Sequence, residues 1–301
     1  VMVAPHIEDT LKNNPYIDNL MKLNPEFTDR YWERHSFKKK ISLHINNLLL
    51  FLNIIFIKKP DMAISLRGDY GNVFVNYFTG ARTRIMHENN PYGRFLITHK
   101  AEWEGNAHEI ERNLKLLNEL GIKPKSNETE LFPEKKEIDY VNRFFKKNSI
   151  GEKDLIIGMH VGGSGKLKWW PIERFITISD YLVKKYNAKL ILIGKGNDEE
   201  KQADKLLDKF KKNVYKSFDS SVLQKAVLIQ RCNLLICNDS GPMHIGAAMK
   251  TPTIAMFGPG AYKYYKPLDK IHTVLYKNLP CSPCAPFILN DKNDCPENIC
   301  M

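Results

Sequence analysis

Residues 238–260 read NDSGPMHIGAAMKTPTIAMFGPG, and the way this stretch is punctuated decides the fold. The apolar run 234–237 just before it has the length of a buried strand, 242–249 reads as a helix of small residues, and Thr253–Phe257 is apolar again. Short apolar runs separated by a helix make a βαβ unit, whose strands are parallel and covered on both faces. The acid, hydroxyl, glycine, proline and histidine therefore gather at a strand's carboxyl end and a helix's amino end. Pro242 suits the first helical position, which makes Gly241 the expected cap and leaves Asp239 and Ser240 in the turn before it.

The same grammar extends upstream. LIIGMHV (155–161) and KLILIG (189–194) read as strands, and 172–186, 199–211 and 221–231 read as helices. The second half is thus a parallel sheet wound with helices on both faces. The first half is less complete: DMAISLRG (61–68) reads as a strand, 73–81 as the helix after it, and 108–120 as a helix closed by Gly121. VMVAP at the start reads as a strand without its predecessor. A chain of 301 residues exceeds the usual size of one domain. Two domains are expected, 1–150 and 151–301, with a linker around 148–153.

The formal charge of +11 comes mostly from scattered lysines. Such a surface attracts nucleic acid, nucleotide phosphates and acidic lipid without choosing among them. The longest apolar stretch, ISLHINNLLLFLNIIFI (41–57), is interrupted by His44, Asn46, Asn47 and Asn53. It falls short of the roughly 20 apolar residues that span a bilayer. A buried helix leading into a loop is expected there, with a peripheral membrane contact between flanking lysines as the other reading. The chain opens on Val1 without a secretory signal, so it is expected to begin inside a longer protein. Six cysteines in this context favour reduced thiols and a cytoplasmic setting.

In an open parallel sheet, ligands bind beyond the carboxyl ends of the strands, where helix amino termini present unpaired N–H groups. Four strand ends carry polar or glycine-rich loops: 162–171 (GGSGKLKWWP), 194–200 (GKGNDEE), 238–242 (NDSGP) and 258–260 (GPG). Lying at one edge, they can converge on one ligand. Neither a Walker loop nor a dinucleotide fingerprint fits, because His160 and Leu167 break the first and Glu199 the second. What remains is a glycine turn with a hydroxyl at Ser164 and a cation at Lys168, both suited to phosphate; a solvated lysine is the plain alternative. Glu199 and Glu200 open a helix, either as ordinary dipole partners or as ribose ligands. Asp239, Ser240, Gly241 and His244 offer N–H groups, a hydroxyl and an imidazole to an anion and a carboxylate to sugar hydroxyls; a polar helix cap is the plain alternative.

Cys281 and Cys284 form a C-x2-C pair and Cys295 and Cys300 a C-x4-C pair, a spacing that can supply four thiolates to a structural zinc ion. Disulfides and free thiols stay open. Cys232 and Cys237 flank an apolar strand and are expected in the core.

With these residues in hand, the chain resembles glycosyltransferase family 9, the heptosyltransferases of the lipopolysaccharide inner core. The resemblance rests on HVGGSGKLKWWPIERF, GKGNDEE, NDSGPMHIGAAMKTPTIAMFGP and the late cysteines, with weaker agreement in DMAISLRG and HEIERNLKLLNELGI. It implies an α/β fold of the GT-B arrangement, two Rossmann-like domains of which the first is here incomplete. It implies a nucleotide-sugar donor, ADP-heptose, a lipid-linked glycan acceptor, and inverting transfer without a required metal. Ser164 and Lys168 would then touch the diphosphate, Glu199 or Glu200 the ribose, Asp239, Ser240 and Gly241 the phosphate and sugar, with His244 supporting that loop and 217–221 near the base. Localisation would be cytoplasmic, peripheral on the inner membrane.

The resemblance also implies a general base, an aspartate in a glycine-rich turn after a first strand, which is expected to lie ahead of this sequence; Asp69 in LRGDY lies at another strand end and is not assigned that role. A fragment able to bind nucleotide but without that base is therefore expected. Two rivals stay open. Another GT-B nucleotide-sugar enzyme, an epimerase or a hexosyltransferase, would share the fold and loops. A basic zinc-bearing module that binds nucleic acid would explain charge and cysteines but not the ordered loops, and no aromatic motif with interleaved arginines supports it.

Overall fold

The structure is a computed structural model that describes residues 1–23, 37–88, 93–210, 212–284, 295 and 298–301, with side chains except at 37–44 and 70. The chain falls into two compact units, Val1–Glu8 with Ile17–Asn127, and Asp9–Tyr16 with Glu128–Met301.

In the first unit, β1 (Met2–Val3) pairs in parallel with β2 (Met21–Lys22); the short helix α1 (Glu8–Leu11) between them has all but its first residue in the second unit. A long helix α2 (Phe37–Asn53) continues through a π-helical turn, Ile54–Lys58. Then come β3 (Met62–Ile64), α3 (Tyr70–Phe78), β4 (Thr83–His87), β5 (His99–Ala101) and α4 (Glu109–Lys115). Strands β3, β4 and β5 make a second parallel sheet in that order. Its small core joins Val73 of α3 to Met86 and Ile97, and Ile85 to Ala101 and Leu116. Asp69 caps α3, accepting from the Asn72 backbone N–H at 3.1 Å and from its Nδ2 at 2.7 Å.

The second unit is a six-stranded, all-parallel sheet. In chain order it runs α5 (Lys135–Lys147), β6 (Ile156–His160), α6 (Ile172–Tyr186), β7 (Lys189–Ile193), α7 (Asn197–Lys209), β8 (Val214–Ser217), α8 (Val222–Gln230), β9 (Leu234–Asn238), α9 (Gly241–Ala248), β10 (Thr253–Phe257), α10 (Tyr262–Tyr265) and β11 (Thr273–Tyr276). The strand order is β11-β10-β9-β6-β7-β8. From β6 the chain first winds outward through β7 and β8, then returns to the other side of β6 as β9, so the order reverses between β6 and β9. That reversal opens a crevice at the strands' carboxyl ends.

Alternation along each strand sends side chains to two separate cores. Leu190 and Leu192 of β7 join Met159, Phe175 and Leu206 on one face, whereas Ile191 and Ile193 join Val141, Val227 and Leu235 on the other. Each such aliphatic side chain, fully buried, contributes about 1.5–3 kcal/mol relative to exposure. Cys232 and Cys237 are buried as expected, and burial pushes the Cys232 thiol up to about 12.

Three expectations change. Helix α5 packs Val141 and Phe145 into the second unit's core, so the division falls after Asn127 instead of at 148–153. Stretch 41–57 is helical, but Ile45, Leu48, Leu49, Leu52, Phe56 and Ile57 are exposed, and among its described side chains (45–57) Asn47 and Ile54 are the buried ones. The face that packs is the one carrying Ile54, with Ile55 against Gly80, so the apolar spacing identifies a stripe without identifying what covers it. The cap of α9 is Ser240, with Gly241 and Pro242 as its first two residues.

Candidate functional site

The crevice between β6 and β9 is built by residues that reach across it. Asn238, the last residue of β9 and fully buried, donates through Nδ2 to the Gly162 carbonyl at 2.9 Å and accepts from the Trp170 N–H at 3.1 Å. It fixes the loop after β6 to the end of β9. In that loop Gly163 has φ +151°, a region that favours glycine, and its carbonyl accepts from Trp169 Nε1 at 3.0 Å. Trp170 packs edge-on against Phe175, with ring centroids 5.0 Å apart. The two tryptophans anchor the loop and hold Lys168 over the crevice.

Lys168 Nζ meets Asp239 Oδ2 at 2.7 Å, with side-chain exposures of 19% and 7%. An ion pair this enclosed is sensitive to loss of either partner, because the survivor keeps its desolvation cost. Gly260, in the turn after β10, backs directly onto this carboxylate, since a Cβ there would overlap Asp239 Oδ2. Lysine has three N–H donors. One serves Asp239, which leaves two for an incoming anion.

A second chain of contacts runs from β7 through β6 to β9. His160 Nδ1 is 2.9 Å from Ser240 Oγ, and His160 Nε2 is 3.3 Å from Glu199 Oε2. A carboxylate only accepts, so the His160 proton on Nε2 is the one that faces Glu199. The Ser240 hydroxyl also lies 3.0 Å from the Asn238 carbonyl. Glu199 is the third residue of α7, whose cap is Gly196, and its Oε2 accepts from the Lys195 N–H at 2.8 Å as well. Burial alone would raise the Glu199 carboxyl, but hydrogen bonds and charge from His160, with the Lys195 and Gly163 N–H groups, outweigh it and hold it below its ordinary value.

That direction gives a stability prediction. A carboxyl with a depressed folded-state pKa adds stability above its unfolded value, and the contribution disappears as pH falls through the folded one. Urea unfolding of the wild type and Glu199→Gln should therefore differ most at neutral pH and converge in acid; a constant difference would contradict the His160 contact.

The residues singled out in the sequence are thus distributed as follows. Lys168, Glu199, Asp239 and Ser240 meet in one network that spans the ends of β6, β7 and β9. Gly241 begins α9 at the same edge, with open space beside its Cα. Ser164 and His244 are exposed on the loop after β6 and on α9. Glu200 instead pairs with Lys216 Nζ at 2.6 Å, beside Asp204, whose contact with the same ammonium is 2.9 Å. Of the two acids, Glu199 faces the crevice and Glu200 braces α7 on β8. His160 and Asn238 were not recognised from sequence. The available signal was a polar residue closing each of two otherwise apolar strands.

The four late cysteines divide. Cys281, Cys284 and Cys295 are exposed, while Cys300 is buried with Met301 against Gly258. Among the described residues, no group of three or more His, Cys, Asp or Glu side chains is arranged to hold a metal ion. No helix among them is long and apolar enough to cross a membrane.

Comparison with known proteins places this geometry in context. The family model for glycosyltransferase family 9 (heptosyltransferase) matches residues 57–287. Lipooligosaccharide heptosyltransferase 2 of Haemophilus influenzae is 26% identical over 230 residues, covering 71% of this chain and 65% of that protein. The chain thus spans about two thirds of the length of that relative. Among solved structures, a family 9 glycosyltransferase from Veillonella parvula superposes with a TM-score of 0.78 at 22% identity, over 91% of this chain and 75% of that one. The E. coli ADP-heptose lps heptosyltransferase II gives 0.72 at 19% identity, over 92% and 80%.

Proposed function

The chain belongs to glycosyltransferase family 9 and has its α/β, GT-B fold, and from that premise we propose that it moves a heptose from ADP-heptose to a lipopolysaccharide core or related glycan, inverting the anomeric centre. The observation that carries this reading is the 2.7 Å pair of Lys168 and Asp239 over the β6/β9 crevice, beside the amino end of α9. The E. coli relative is by name an ADP-heptose enzyme acting on lipopolysaccharide, and this site has the chemistry for such a donor.

In the proposed mechanism, the acceptor oxygen attacks the anomeric carbon as its bond to the diphosphate breaks, and the acceptor's hydroxyl proton passes to a general base other than the residues named here. Negative charge grows on the departing phosphate. The two free N–H groups of Lys168 and the Gly241 N–H at the start of α9 meet that charge in positions fixed beforehand, which is where electrostatic catalysis is most effective. Asp239, neutralised by Lys168, does not repel the phosphate and accepts from a sugar hydroxyl. Ser240 spends its one hydroxyl proton on His160 Nδ1 or the Asn238 carbonyl and so holds the turn before α9 in place for the phosphate, and Glu199 borders the ribose. Exposed Ser164 and His244 approach from the rim. Nothing in this scheme requires a cofactor, and a zinc ion on the late cysteines would be structural.

Calorimetry of the chain with ADP, UDP and GDP, followed by transfer assays of the full-length enzyme with ADP-heptose and a heptose-deficient lipopolysaccharide acceptor, tests the reading. Preferred binding of ADP and a product heavier by one heptose are expected. Preference for another nucleotide, or consumption of the donor with no acceptor present, would overturn it.

A further inference from the structure

His160 closes β6 with an imidazole that is 3% exposed, and both of its ring nitrogens have partners. Three polar contacts run through it in series. Glu199 Oε2 lies 3.3 Å from Nε2, Ser240 Oγ lies 2.9 Å from Nδ1, and the Asn238 carbonyl lies 3.0 Å from that same Oγ. Each contact needs one proton between its two atoms. A carboxylate and a carbonyl only accept, so those protons must come from the ring and the hydroxyl. A neutral imidazole has one N–H, directed at Glu199, and Ser240 has one O–H. Two protons then serve three contacts, and either Nδ1 or the Asn238 carbonyl is left facing a lone pair of Ser240. An imidazolium brings the third proton: Nε2–H donates to Glu199, Nδ1–H to Ser240 Oγ, and Oγ–H to the Asn238 carbonyl. All three contacts are satisfied only when both ring nitrogens are protonated.

Burial opposes that state, because an enclosed cation costs several kcal/mol unless neighbouring charge offsets it. Glu199 supplies one negative charge; against burial, His160 and the Lys195 and Gly163 N–H groups hold its carboxyl below the ordinary value. The other groups near the ring add no free anion. Cys237, the register partner of His160 on β9, is a thiol that burial pushes up. Asp239, in the turn after β9, is paired with Lys168 of the loop after β6, and Lys225 of α8, in charge range of Glu199, is a further cation. On the function proposed above, the donor brings the two negative charges of its diphosphate to the turn 239–241. Ser240, whose hydroxyl touches the ring, is the middle residue of that turn. Donor binding therefore shifts the balance toward the imidazolium.

We propose that His160 takes up a proton as the nucleotide-sugar diphosphate binds, and is thereby a positioning residue that fixes the turn 239–241 in its phosphate-holding form. This rests on the functional reading above. A proton from a buffer acid in solvent forms the Nδ1–H bond. The Ser240 hydroxyl keeps its own proton and turns it from Nδ1 to the Asn238 carbonyl, and no other bond forms or breaks. Linkage is reciprocal, so protonation must strengthen donor binding by as much as donor binding favours protonation. Affinity for the donor accordingly rises as pH falls.

The test is calorimetry of ADP-heptose binding to the full-length enzyme, without acceptor, in buffers of different ionisation enthalpy. The diphosphate of this probe is esterified at both ends and does not titrate near neutral pH, so any proton exchanged belongs to the protein. At about pH 7.5 the observed heat should vary with the buffer in the sense of uptake, by up to about one proton, and raising the pH from about 7 to about 8.5 should weaken wild-type binding about threefold or more. His160→Gln keeps an N–H for Glu199 and cannot titrate. Its heat should be the same in every buffer, and its affinity level across that pH range. A wild-type heat that does not depend on the buffer overturns the proposal, as does uptake that persists in His160→Gln. If His160→Gln does not fold, ring nitrogen-15 spectra of the wild type with labelled histidine decide. One ring should change from the neutral to the imidazolium pattern when ADP-heptose is added, and no such change overturns the proposal. Wild type that fails to bind ADP-heptose at any pH overturns the functional reading together with this one, whereas binding without proton uptake overturns this one alone.

Discussion

Lys168→Ala is expected to slow sugar transfer by about a hundred- to a thousandfold, the usual consequence of removing one preorganised group that meets developing charge. Two effects combine. The departing diphosphate loses its nearest cation, and Asp239, 7% exposed, is left as a carboxylate without its 2.7 Å partner. An unpaired Asp239 would then repel the anion that the site should hold, so donor affinity should fall along with turnover. Lys168→Arg should recover only part of the loss, because the planar guanidinium cannot place one donor on Asp239 and two on a phosphate in lysine's geometry. Asp239→Asn separates the two effects: it removes the negative charge but keeps an acceptor, and should spare nucleotide affinity more than turnover. Steady-state rates and ADP calorimetry on the full-length enzyme check these outcomes. Unchanged turnover and donor affinity in Lys168→Ala would remove the basis of the mechanism.

How much of this was legible beforehand depended on the range of the interactions. Helix Ile172–Tyr186 and strand Thr253–Phe257 are found where the sequence places them, because an apolar period and a punctuating proline are local signals. The convergence of four strand-end loops was legible too, since parallel topology brings carboxyl ends to one edge. His160 and Asn238 were not. Their partners lie 80 and 76 residues away, at Ser240 and Gly162, and within their own strands each is simply one polar residue. Glu199 and Glu200 were indistinguishable as neighbours on a helix. Only the positions of His160 on one side and Lys216 on the other give them opposite tasks. Helix α2 shows the same limit differently: its stripe of apolar residues was visible, but which face packs depends on Gly80 and Ile55 meeting, which no local pattern records.

Gly162→Ala is the sharpest test of the His160 relay, and it should destabilise the fold by about 3 kcal/mol. Gly162 does not have the positive φ that would demand glycine, so the reason for glycine here is space. A Cβ at this position would overlap Glu199 Cγ and lie 2.6 Å from its Cδ and 3.0 Å from its Cβ. Because the clash extends to Glu199 Cβ, rotating the carboxylate aside does not relieve it, and α7 or the loop after β6 must shift. Glu199 then leaves His160 Nε2 and the Lys195 N–H unpaired, and Ser240 loses the imidazole that orients it. ADP affinity should therefore fall together with the urea midpoint. The steric origin is checked by a double-mutant cycle with Glu199→Ala, which trims the side chain that the new methyl meets. If the clash is the cause, adding Glu199→Ala to Gly162→Ala should cost far less than Glu199→Ala alone, leaving the double variant near Glu199→Ala in stability. Strict additivity, or a Gly162→Ala protein as stable as wild type, would mean that Glu199 does not occupy the space against Gly162, and the link from β7 through His160 to Ser240 would lose its anchor.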